Sequence, residues 1–133
     1  MDEPMSSELL HDLTSQEEVV AHLGEGSGAA IIDFWAPWCG PCRVMAPHFQ
    51  AAAEHYASEP VSFYKINTED HPELGALFQV RALPTTLLLI DGKIEDVIPG
   101  VLTPHTLKKR IDWLLARHRG DGLMARLLGA FKK

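Results

Sequence analysis

Ala29-Ala30-Ile31-Ile32-Asp33-Phe34-Trp35-Ala36, running on into Pro37-Trp38-Cys39-Gly40-Pro41-Cys42-Arg43, is the stretch of this 133-residue chain that says most. Its first eight residues are almost continuously apolar. That suits a strand covered on both faces of a parallel or mixed sheet, with Asp33 as the one interruption. The second part sets two cysteines three positions apart where the strand hands over to a helix. Such a pair can close a small disulfide ring or face one substrate in sequence. Cys39 comes first, at the positive end of the helix dipole, where unpaired backbone N–H groups stabilise a thiolate; it is the expected nucleophile. Cys42, one turn in, is expected to be the more buried and to resolve the mixed disulfide once it forms. Pro41 fits the first turn, because the N–H it lacks would have had no partner there.

Two other readings of the pair stand beside this one. The cysteines could be ordinary buried residues, though the turn residues between them and the strand-to-helix setting speak against it. They could also be half of a zinc site, whose other ligands would have to come from His11, His22, His48, His55, His71, His105 and His118. No two of these histidines show the usual finger spacing, so no metal is expected.

On the N-terminal side of this stretch, Thr14-Ser15-Gln16-Glu17 reads as a capping box ahead of a helix with Val19, Val20 and Leu23 on its apolar face, ended by Gly24 and Gly26. Residues 1–13 read as acidic, irregular and loosely packed. On the C-terminal side, the cysteine-bearing helix is expected to run to about Ser58, kinked at Pro47. A strand over Val61 to Asn67, a short helix over Pro72 to Phe78 and a strand over Thr85 to Ile90 follow. Asp91-Gly92 is a tight hairpin signal, and Lys93 to Ile98 is the returning strand. Thr103-Pro104 opens a last helix with Leu107, Ile111, Leu114 and Leu115 on its buried face. The order α-β-α-β-α-β-β-α predicts an α/β fold, one open sheet with helices on both faces. Gly120-Asp121-Gly122 is expected to break the last helix before Leu123 to Lys133 restarts a helical pattern.

Composition agrees with one domain, since 46% hydrophobic and 23% charged residues are ordinary for a globular chain. No stretch comes near the roughly 20 apolar residues of a membrane span. The first 25 residues hold seven acids and no Lys or Arg, the reverse of a secretory signal. A cytoplasmic location is the expectation, and there two cysteines more often do redox or metal chemistry than form a structural bridge. The net charge of −6 is uneven: eight of the twelve basic residues lie from Lys108 onward, against two acids, Asp112 and Asp121. An acidic chain with a basic end argues against non-specific nucleic-acid binding but leaves that end free to meet an acidic surface.

The segment from Asp33 to Arg43 resembles the active-site segment of the thioredoxin family nearly letter for letter. Further matches follow in order: Pro47 in the active-site helix, Lys65 at a strand end, Leu83-Pro84-Thr85 before another strand, Gly92 in the hairpin and Gly100 before the last helix. The resemblance covers roughly Thr14 to His118. It divides the chain into an acidic extension (1–13), a thioredoxin domain (14–118) and a basic amphipathic extension (119–133).

It also implies a thioredoxin fold, with a central mixed sheet flanked by helices on both faces, and a protein-disulfide reductase with a redox-active Cys39–Cys42 disulfide. Electrons would come from NADPH through a thioredoxin reductase, with no cofactor bound; the partners would be that reductase and disulfide-containing clients. Asp33 matches the family's buried carboxylate, which helps move the proton of the second cysteine. On the residues alone, an acid inside an apolar strand should have a raised pKa, as a general acid or base near neutrality requires, but an Asp facing a loop or capping the helix reads as well. Lys65 matches a lysine near that carboxylate, where it could temper the rise; a solvated strand-end lysine is the alternative. Pro84 matches a cis-proline opposite the active site, and Leu83 would pair its backbone with an extended client segment. Trp38, Leu83 and Gly100 would line an apolar surface around Cys39, Gly40 and Pro41 would shape the motif, and Trp35 would be packing.

Thr86, where an apolar residue is usual, and His48 after Pro47 depart from the family's pattern. Leu123, Met124, Leu127, Leu128 and Phe131 in the extension fall on one helical face. A helix folded back on the domain is expected, with docking to a partner or an anionic membrane surface, or self-association, as the alternatives. Two rival functions remain at this stage. One is a binding module whose cysteines are incidental, and the other a dedicated reductant whose last helix selects one client.

Overall fold

Alternation along the apolar run sets the layers. Ala29 and Ile31 pack with Met45, Phe49, Leu107 and Ile111 on one side of the sheet, while Ala30, Ile32 and Phe34 pack with Val19, Leu23 and Leu74 on the other. The computed structural model describes residues 9–131, and of residues 121–126 and 128–131 the backbone alone. The strands are β1 (Leu10–Asp12), β2 (Ala29–Trp35), β3 (Val61–Asn67), β4 (Thr85–Ile90) and β5 (Lys93–Pro99). The helices are α1 (Gln16–Leu23), α2 (Gly40–His55), α3 (Pro72–Leu77) and α4 (Pro104–Phe131). The sheet order is β1-β3-β2-β4-β5. β3 runs parallel to both β1 and β2; the β2–β4 and β4–β5 pairs are antiparallel. β2 and β4 are therefore buried on both faces, which is why each reads as a nearly continuous apolar run, interrupted by Asp33 in β2 and opened by Thr85-Thr86 in β4.

Four expectations need correction. Residues 10–12 are not irregular: they form an edge strand in register with Phe63 to Lys65, and Leu13 behind it is buried. Three residues carry no period of their own, so only the free edge of β3 makes this strand visible. The α1 cap is one residue later than expected. Ser15 Oγ accepts from Glu18 N–H at 3.1 Å, and the Glu18 carboxylate accepts from Thr14 N–H at 2.7 Å. α2 ends at His55, where Tyr56 caps it and donates its hydroxyl to Asp112 at 2.6 Å. Finally, α4 runs unbroken through Gly120-Asp121-Gly122 for 28 residues, about 42 Å. Glycine weakens a helix by about 1 kcal/mol but ends it only when it turns left-handed.

The continuous α4 replaces the folded-back extension. Leu127 is 48% exposed; the side chains of Leu123, Met124, Leu128 and Phe131 lie outside the described residues. Up to His118, which lies beside Gly28, the helix is held on the body, by Leu107, Ile111, Leu114 and Leu115 and by ion pairs of Arg110 with Asp96 and Arg117 with Glu95 on β5. Part of the basic end is thus already matched to the domain's own acids.

The β4–β5 hairpin turns on Asp91 (φ 52°) and Gly92 (φ 80°), as the Asp-Gly signal predicts. A Cβ at position 92 would lie 2.6 Å from the Leu23 carbonyl oxygen, at the end of α1. Left-handed backbone and backbone contact act together here, so Gly92→Ala is expected to destabilise by about 2 kcal/mol or more. A denaturant melt checks this; an unchanged midpoint would mean that the hairpin and α1 separate freely.

Candidate active site

The parallel pairing of β2 with β3 brings their C-terminal ends together, Trp35 opposite Asn67, so the loops that follow them must share one edge of the sheet. Thr68 fastens the two, its N–H and its hydroxyl both donating to the Trp35 carbonyl at 2.8 and 3.1 Å. From this edge the chain enters α2 through the cysteine motif. Cys39 is the N-cap, and its sulfur accepts the Cys42 backbone N–H at 3.2 Å. Cys39 and Cys42 are joined by a disulfide, with Cα atoms 5.3 Å apart. A donor aimed at the first sulfur, together with the helix dipole, favours negative charge there when the bond opens.

The expected contrast in burial is slight, at 5% exposure for Cys39 and 3% for Cys42. What differs is the space each cysteine borders. Cys39 lines an open groove of about 630 Å³ with Trp38, Gly40, Pro41 and Leu83, walled by Pro72, Ala76, Val80 and Arg81 from the α3 region. Cys42 borders a second cavity of about 270 Å³, with Trp35, Ala36, Arg43 and Lys65. Trp38 is 66% exposed and is held by its indole N–H donating to Glu69 at 2.7 Å. The Leu83–Pro84 peptide is cis, and the Pro84 carbonyl accepts from Gly100 N–H at 2.8 Å. Gly100 therefore stands next to Pro84 and is not among the groove-lining residues.

Asp33 is 1% exposed and faces the α2 side of the sheet. Its carboxyl oxygens have no hydrogen-bond partner, and burial lifts its pKa from 3.8 to about 6, with Lys65 opposing the rise. Lys65 stands opposite Asp33 in the β2–β3 register, its ammonium 4.9 Å from the centre of the Trp35 ring. It is therefore a neighbour of the carboxyl, not a solvated strand end. Trp35 is packing as read, seated against Ala36, Cys39 and Cys42. Among the described residues no cluster of three or more His, Cys, Asp or Glu could hold a metal, and both cysteine sulfurs are bonded to each other.

A dithiol–disulfide pair capping a helix at the mouth of a groove can exchange electrons with another disulfide. Comparison with known proteins gives this arrangement its family. The family model described as Thioredoxin matches residues 11–113. The chain belongs to the thioredoxin family. It is a thiol–disulfide oxidoreductase with the thioredoxin fold.

Thioredoxin 1 of Synechococcus elongatus is 37% identical over 101 residues, covering 76% of this chain and 90% of the relative. The thioredoxin of Porphyra purpurea is 34% identical over 81% of this chain and 96% of its own length. Chloroplastic thioredoxin M2 of Arabidopsis thaliana is 36% identical over 68% of this chain, which spans about half (48%) of that longer relative. Among solved structures, oxidised mitochondrial thioredoxin 3 of Saccharomyces cerevisiae superposes with a TM-score of 0.72 at 32% identity, over 82% of this chain and 99% of the other.

Sequence reasoning missed Glu69 and the groove wall of Val80, Arg81 and Ala82. Nothing local marks Glu69 as an anchor for Trp38. The signal that could have found it is topological: whatever follows a strand parallel to β2 lands beside whatever follows β2.

Proposed function

We propose that the chain reduces disulfides of client proteins at the Cys39 sulfur. The Cys39 thiolate attacks one sulfur of the client disulfide, forming the mixed disulfide and releasing the other client sulfur as a thiolate. The Cys42 thiol gives up its proton and attacks Cys39 Sγ; the second client sulfur leaves, and the chain retains the Cys39–Cys42 disulfide. Two electrons pass to the client.

The observation that carries this reading is that Cys39 opens onto the groove while its sulfur receives the Cys42 N–H. Asp33 takes the role of proton exchanger for Cys42, tuned by Lys65, on the strength of its burial and raised pKa. Leu83 lies on the groove beside Cys39, where its backbone can pair with an extended client segment; Gly40 and Pro41 line the same groove at the start of α2, and Gly100 supports the Pro84 loop. No bound cofactor is needed for these steps. NADPH through a thioredoxin reductase would return the disulfide to the dithiol, and the cytoplasm, kept reducing, is the compartment we assign. Among the described residues no helix is long and apolar enough to cross a membrane.

Reduction of insulin disulfides coupled to NADPH and a thioredoxin reductase tests this, with the full chain and with one ended after His118. Both are expected to turn over, since every group named here precedes that point. No NADPH consumption by either would overturn the reading, and loss in the shorter chain alone would favour a dedicated reductant that uses the end of α4.

A further inference from the structure

Thr86 is completely buried in β4, and its hydroxyl has no hydrogen-bond partner. In the antiparallel β2–β4 ladder it stands directly opposite Asp33, whose two carboxyl oxygens are equally unpartnered. Residues opposite one another on such a pair project from the same face, with Cβ atoms about 5 Å apart. Three unpaired polar atoms therefore share one small volume in an interior where such atoms are strongly disfavoured. A valine would fill the same space without a hydroxyl to satisfy.

We propose that Thr86 is a positioning residue for Asp33: a turn of its side chain, which makes no hydrogen bond in this structure, brings its Oγ1–H onto the ionised carboxylate across the ladder and holds that carboxylate ready to exchange a proton with Cys42. The inference rests on the reading of Asp33 as the proton exchanger. Few other groups compete for the role. From β3, Lys65 is the one charged group among the described residues whose field acts on the carboxyl, and its ammonium lies over the Trp35 ring. From α2, Cys42 and Arg43 line the cavity beside Lys65, but the Arg43 guanidinium donates to the Pro37 carbonyl at 2.8 Å. From α4 this face receives Leu107 and Ile111, and β5 sets Ile98 opposite Thr86.

A hydroxyl donor favours the charged carboxylate and so counters the effect of burial. Thr86→Val should raise the Asp33 titration midpoint by roughly one pH unit, the effect of one hydrogen bond to a charged group, and Thr86→Ser should restore it. The experiment is a 13C NMR titration of the aspartate carboxyls in oxidised and reduced chains. It is paired with the pH profile of insulin reduction, for wild type, Thr86→Val, Thr86→Ser, Thr86→Ala and Asp33→Asn, and for Thr86→Val combined with Asp33→Asn.

The expected result is that midpoint and profile move up together in the valine and alanine chains, return with serine, and that valine changes nothing in the profile once Asp33 is Asn. An unmoved Asp33 midpoint in folded Thr86→Val or Thr86→Ala overturns the proposal, even where Asp33→Asn alone is impaired. A wild-type profile in Asp33→Asn overturns the Asp33 reading and the role assigned to Thr86 with it. A shifted carboxyl midpoint in that case would still establish the hydrogen bond.

Discussion

A Cys42→Ser chain is expected to accumulate covalent mixed disulfides with client proteins, and a Cys39→Ser chain almost none. Both variants lose catalytic turnover to the uncatalysed background, so trapping and not rate distinguishes them. The reason is the space each sulfur faces. Cys39 borders the open groove beside Trp38 and Leu83, where a client disulfide can lie, and the Cys42 N–H stabilises its thiolate. Cys42 faces the smaller cavity with Trp35, Arg43 and Lys65, so on the proposed mechanism it meets a client only through Cys39. Non-reducing electrophoresis after incubation with a client mixture, followed by mass spectrometry of the shifted bands, reads the outcome. Equal trapping by both variants would show that Cys42 is as accessible to clients as Cys39.

The second large effect concerns Asp33→Ala. In the folded chain burial raises the Asp33 carboxyl to about 6, against 3.8 for the ordinary group. Between those values the folded state holds a proton that the unfolded state has released, so this group's contribution to stability is intact near pH 4 and declines as pH rises through 6. A difference of that size corresponds to about 3 kcal/mol. Asp33→Ala removes the loss, and the variant is expected to be the more stable chain at pH 8, by about 2 kcal/mol once the small cavity it leaves is counted, with little gain at pH 4. Its insulin reduction should be several-fold slower on the proposed role of Asp33 as the group that takes the Cys42 proton. Denaturant melts at both pH values and rates from pH 6 to 9 check both halves. Parallel stability curves for the two chains would show that Asp33 ionises at the same pH folded and unfolded, so that burial does not raise it, and unchanged rates would remove it from the mechanism.

Much of this was legible in the residues, and what was not has physical causes. β4 matches its expected bounds, β2 ends one residue early and the hairpin turns at Asp91-Gly92, because full burial and left-handed turn residues leave strong local signatures. β1 left none: a three-residue strand exists only through its partner's edge. The cysteine motif announced its own chemistry, yet the Glu69 anchor for Trp38 depends on two loops meeting in space. Thr86 was visible as a departure from an apolar pattern. That it faces Asp33 depends on strand register, which no single strand carries.

The two rims of the sheet bear on how the protein behaves in concentrated solution. A rim strand offers a row of unsatisfied amide and carbonyl groups, a template on which another chain can lengthen the sheet. One rim here is β1, only three residues long. The other, β5, leaves half-exposed Ile94 and Val97 in water, but its pairing slips beside Leu88 and Leu89, it carries Lys93, Glu95 and Asp96, and it ends in Pro99, which has no amide hydrogen to give. Arg110 and Arg117 of α4 also bridge to its acids. Neither rim presents the long, flat, uncharged ribbon that stacking into fibrils requires, so the sheet can stay open at both ends without becoming a seed.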